Sequence, residues 1–183
     1  MRSQFYKTGQ IFSDKINKWV GNLLESNKKK DIYLILPRPI GGTDKYYSWV
    51  SSFYLKDSID EPVHPHNIKN TMKFLKIIFE YKINSGNNIR ILAGDVHECY
   101  EKYIEYKHKD SKYKIEQFIS SAITRNSRSL DTNYIQEKII NFTDNYNSLK
   151  LLGIGKKEKH STHNNFGEIT NGEIKFHVYK KEL

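Results

Sequence analysis

Phe12, Ile16, Trp19, Val20, Leu23 and Leu24 recur every three or four positions, the spacing that places side chains on one face of a helix, and Ser13 offers an oxygen for its N-cap. The spacing predicts an amphipathic helix over residues 13–26 whose apolar stripe packs into a core. Lys28, Lys29 and Lys30 read as a solvated turn before Ile32, Tyr33, Leu34, Ile35 and Leu36, an uninterrupted apolar run ended by Pro37. Such a run suits a strand buried on both faces. Helical spacing returns at Ile68, Met72, Leu75, Ile78 and Phe79, with Asn67 as the cap and Gly86 as the stop. Ile89, Ile91 and Leu92 then form a second buried strand.

Between these pairs, residues 38–66 carry Pro39, Gly41, Gly42, Pro62 and Pro65 with little periodicity and read as a long irregular connection. Downstream, residues 113–123 suit a third strand, and residues 134–142 a helix with Ile135, Ile139 and Phe142 inward. At the end, Gly167 and Asn171-Gly172 bracket Glu168, Ile169 and Thr170, and Ile174, Phe176 and Val178 alternate with polar residues. That is the pattern of a hairpin with an Asn-Gly turn. Helices alternating with strands place the chain in the α/β class.

The chain has 183 residues, the span of one domain, with the amphipathic helix inside its first 30 residues. Thirteen Tyr and nine Phe must supply much of the core, which argues against disorder. A net charge of +9 favours anionic partners such as phosphate esters, nucleic acid or acidic head groups, although a charged surface also serves solubility. Tyr and basic residues interleave over residues 100–113 as stacking platforms would, but no nucleic-acid-binding motif accompanies them. A lone Cys99 excludes an intramolecular disulfide and restricts any metal site to His, carboxylate, Asn or backbone ligands. No apolar stretch approaches the roughly 20 residues that span a bilayer, so the expectation is a cytoplasmic chain with no membrane partner.

Chemistry concentrates where the second strand ends, in Ile-Arg-Ile-Leu-Ala-Gly-Asp-Val-His over residues 89–97. Ligands of α/β sheets bind outside the C-terminal ends of strands. Gly94 lets the chain turn there, and Asp95 and His97 supply a hard oxygen and an imidazole nitrogen to one edge of a divalent or trivalent metal. A turn-capping Asp and a His bonded to a carbonyl would explain the same spacing. His64 and His66, two apart around Pro65, can reach one ion from an extended segment, or serve as loop and helix-entry residues. Arg125 and Arg128, past the third strand, are candidates for gripping a phosphate, against the plainer reading of surface arginines. His160 and His163 lie in a polar stretch and approach Asp95 and His97 only if the closing hairpin packs beside that strand. Neither Ser120-Ser121 nor Cys99 has the context of a covalent nucleophile.

Ile-Leu-Ala-Gly-Asp-Val-His resembles the strand and Gly-Asp-Val-His motif of the PhoD-like phosphatases, a branch of the calcineurin-like metallophosphoesterases. Asp57, Asp60, His64, His66 and Asn67 are similar to the acidic, His-rich stretch before that family's long helix. Ser120 to Thr124 are similar to its next strand, and Asn164, Asn165, Phe166, Gly167 and Glu168 to its Asn-Phe-Gly element. The resemblance covers about residues 31–180 and only the C-terminal half of such an enzyme; the family's earlier ligand motifs have no counterpart here.

The resemblance implies a partial metallophosphoesterase-like β-sandwich with flanking helices and a metal site of Fe, Mn, Zn or Ca holding Asp95 and His97. It implies metal-dependent hydrolysis of a phosphoester, with a second chain or a homo-oligomer completing the sandwich. The rival expectation is a non-enzymatic basic scaffold that binds an anionic partner.

Overall fold

The computed structural model describes residues 12–40, 62, 67–94, 99–108, 110–120, 148–149, 152–154, 158–161 and 164–179. Those residues show a mixed α/β architecture with helices and a multi-stranded sheet. The chain divides into two compact units, residues 1–32 with 40–89 and residues 33–39 with 90–183.

The first unit holds α1 (Asp14–Glu25) and α2 (Ile68–Ser85). Ser13 caps α1, its hydroxyl accepting from the Ile16 N–H at 3.4 Å. The two helices run side by side in the same direction, as successive contacts show. The Asn17 amide donates to the Asn70 carbonyl at 3.3 Å near their starts, Gly21 faces Ile77, and the Tyr81 hydroxyl lies 2.6 Å from the Lys30 carbonyl beyond the end of α1. Phe12 stacks on Phe74 with ring centroids 4.2 Å apart, and Val20 and Leu24 are buried. Ile16, Trp19 and Leu23, expected in the same core stripe, are exposed instead, Trp19 to 62%. The apolar stripe of α1 is thus wider than the surface it buries. Asn67 occupies the N-cap position of α2 without a side-chain cap bond, and Gly86 ends the helix at φ 73°, a left-handed conformation that glycine adopts without strain.

A sheet fills the second unit, in the order β1 (Ile32–Leu36), β2 (Ile89–Ala93), β4 (Ser111–Ser120), β3 (Cys99–His108), β6 (Leu152–Ile154), β5 (Ser148–Leu149), with β7 (Glu158–Ser161) also pairing β3. β2 and β4 are parallel, with Ala93 opposite Ile119; β3 and β4 form an antiparallel hairpin that sets Cys99 opposite Ser120. One face carries Ala93, Tyr100 and Ile119, packed together with Leu36 as a core cluster. β1 lies at one end of the strand order and alternates half-buried with exposed residues, Ile35 reaching 80% exposure. The expectation of burial on both faces therefore fails for β1. β3 was not anticipated at all, and the third strand begins at Ser111 rather than at residue 113, with residues 121–123 outside the described set. The expected helix at 134–142 and most of the 38–66 connection also lie outside the described residues.

β8 (Asn164–Thr170) and β9 (Glu173–Tyr179) form a separate two-stranded sheet. Asn171 and Gly172 sit at φ 52° and 82°, the two positive values a tight hairpin turn of this hand requires. Gly172→Ala should cost about 1–2 kcal/mol through the forced left-handed conformation, read as a lower urea midpoint. An unchanged midpoint would mean that the turn is not formed.

Candidate functional site at the C-terminal end of the central strands

Gly94 and Cys99, the described residues on either side of residues 95–98, are both placed at the C-terminal end of β4. Gly94 follows Ala93, which pairs with Ile119, and Cys99 pairs with Ser120. Gly94 and Cys99 thus stand at the strand ends, where ligands of α/β sheets bind.

The β8–β9 hairpin covers this end of the sheet. The Ser120 hydroxyl donates to Asn165 Oδ1 at 2.9 Å, and Asn165 is buried. A β-carbon on Gly167 would meet that of Ser120 at 3.3 Å, so the glycine inside β8 permits a close approach of strand to sheet. Gly167 lies within the strand rather than before it, because β8 starts at Asn164. At the other end of the hairpin, the Tyr33 hydroxyl lies 3.8 Å from where a Gly172 β-carbon would sit.

Between hairpin and sheet is a cavity of about 560 Å³ lined by Leu92, Phe118, Ile169, Ile174 and Phe176, with Ile35 also in its wall. Gly94, Ser120 and Asn165 form one end of it. Its apolar walls follow from strand alternation: Leu92 pairs with Phe118 on one sheet face, and Ile169 pairs with Ile174 on one face of the hairpin. Towards the start of β2 the same sheet face becomes polar. Arg90 Nε lies 3.1 Å from Glu116 Oε2, and Arg90 Nη1 donates to the Tyr33 hydroxyl at 3.1 Å.

On the other face of the hairpin, Phe166 stacks on His177 with centroids 4.5 Å apart, and His177 Nε2 lies 2.7 Å from Glu168 Oε2. The His177 contact, then a hydrogen bond from the Thr170 hydroxyl, holds the Glu168 carboxyl below its ordinary value. A depressed carboxylate contributes stability above its unfolded pKa and loses it as pH falls through the folded value. Acidification from about pH 6 to about pH 3 should therefore loosen the hairpin, and Glu168→Gln should remove that part of the pH dependence. The effect is small because the group is solvent-exposed. Hairpin amide shifts followed by NMR would read it, and identical titrations of the two proteins would refute it.

Asp95, His97, His64, His66, Arg125 and Arg128 lie outside the described residues. His160 falls in β7, which pairs with β3 rather than β2, setting Ser161 opposite Cys99. Its backbone is therefore near the same strand ends in register. Among the described residues no group of three or more His, Cys, Asp or Glu is placed to hold a metal ion. The described polar side chains of the cavity wall are one hydroxyl and one amide, a donor set that does not fit a metal by itself. Sequence reasoning assigned no site role to Ser120, Asn165, Leu92 or Phe118. The Asn before Phe-Gly was the available signal, but its partner 45 residues earlier carries no local pattern.

No helix among the described residues is long and apolar enough to cross a membrane. Compared with protein-family models, with curated proteins and with solved structures, the chain matches none.

Proposed function

We propose that this chain is a metallophosphoesterase-like half-domain that acts on a phosphoester at the C-terminal end of β2 and β4, with Asp95 and His97 as its contribution to a metal site. The observation that supports this reading is the position of Gly94. Gly94 follows a central strand and lines a cavity at the strand end where α/β sheets bind ligands.

Two donors cannot complete a metal centre, and among the described residues there is no further cluster. The remaining ligands are assigned to Asp57, Asp60, His64 or His66, or to a second chain. Arg125 and Arg128, which follow β4 in sequence, are assigned to the substrate phosphate. The +9 charge of the chain suits an anionic substrate and equally suits the rival reading of a scaffold for an anionic partner.

The test is hydrolysis of chromogenic phosphodiesters and phosphomonoesters by the full chain in Mn, Fe, Zn or Ca, alone and mixed with candidate completing chains. Turnover that requires metal supports the enzyme. Binding of anionic partners with no turnover in any mixture favours the scaffold.

A further inference from the structure

The cavity beside Gly94 has a polarity of its own. Among the described residues of its wall, polar side chains occur only at Ser120 and Asn165, which are bonded to each other, and none carries a formal charge. The remaining wall is aliphatic and aromatic, contributed by β1, β2, β4 and both strands of the hairpin. A volume of about 560 Å³ is in the range of small-molecule sites, roughly 300–1,000 Å³. A sugar or glycerol placed there would leave hydroxyls without partners, whereas an aromatic ring or a branched alkyl group would bury apolar surface at no such cost.

We propose that this cavity binds the aromatic or branched-alkyl group of an organic phosphoester, with the ester's polar head at the end formed by Gly94, Ser120 and Asn165. The assignment rests on the phosphoester reading and deepens it by naming the substrate class. The apolar walls select the organic group, and the strand ends hold the phosphate outside them. Ile169 and Ile35 are the residues to alter, because both line the cavity and both are exposed, so substitution there spares the buried core.

Titration calorimetry of the full chain with benzylphosphonate and methylphosphonate, neither of which can be hydrolysed at the P–C bond by this chemistry, separates the organic group from the phosphate. Benzylphosphonate should bind about tenfold tighter or more. Ile169→Trp, which fills the cavity, should erase that preference while leaving methylphosphonate binding unchanged. Ile35→Asp should reduce it and serves in place of Ile169→Trp if the latter lowers the thermal midpoint. Equal affinity for the two phosphonates, or a preference indifferent to both substitutions, overturns the assignment. If phosphodiester hydrolysis is present but that preference is absent, the cavity assignment falls and the phosphoester reading stands. If benzyl alcohol binds in an Ile169→Trp-sensitive way while neither phosphonate binding nor hydrolysis is seen, the phosphoester reading falls and takes the proposed ligand class with it.

Discussion

Phe74→Ala lowers the unfolding free energy of the chain by about 3–5 kcal/mol, the range for truncating a buried aromatic side chain. Phe74 is 1% exposed and stacks on Phe12 just before α1, so its loss opens a void where the two helices meet. The neighbours cannot close it cheaply. Asn17 is fixed at the same interface by bonds from its amide to the Phe12 carbonyl at 3.1 Å and to the Asn70 carbonyl at 3.3 Å, which resist a shift of either helix. Urea unfolding followed by far-ultraviolet circular dichroism reads the effect. A loss under about 1 kcal/mol would mean that the Phe12–Phe74 stack does not form the centre of the helical unit.

The second large effect concerns chemistry. His97→Ala removes one of the two ligand candidates after β2 and should cut metal-dependent hydrolysis by about 100-fold or more, since changes to groups that only support a ligand cost 10- to 100-fold. Stability should barely change. Ala93 and Cys99, on either side of the segment, are each held in register on β4, and that pairing does not involve the His97 side chain. Asp95→Asn should give the same pattern. Unfolding midpoints and metal content measured on the same preparations check both parts. Activity that survives the substitution would remove His97 from the site, and a large drop in midpoint would give it a structural role instead.

Several elements were legible in the sequence because local physics decides them. α1 and α2 follow from helical spacing bounded by Ser13 and Gly86, and the terminal hairpin from alternation around Asn171-Gly172. Other elements depend on what covers a face. The apolar run Ile32–Leu36 gives no sign that Ile35 is exposed, because a continuous run fits a strand with one or two covered faces.

β3 was hidden by its composition: Tyr100, Lys102 and Ile104 alternate inward, and a buried Lys102 reads in sequence as part of a basic surface. A lysine stem is long and apolar enough to lie along such a face. Of the candidate site, the place of Gly94 at a strand end was legible. The cavity was not, since it exists only where β8 and β9 lie over β2 and β4, as the Ser120–Asn165 bond records.

Elemental analysis for Fe, Mn, Zn and Ca of the purified full chain, with His97→Ala prepared in parallel, tests the central claim most directly. The account predicts metal bound in a fixed ratio to the chain or to its completed assembly, and lost from the His97→Ala protein. Metal absent from both after reconstitution, or equal in both, would contradict it.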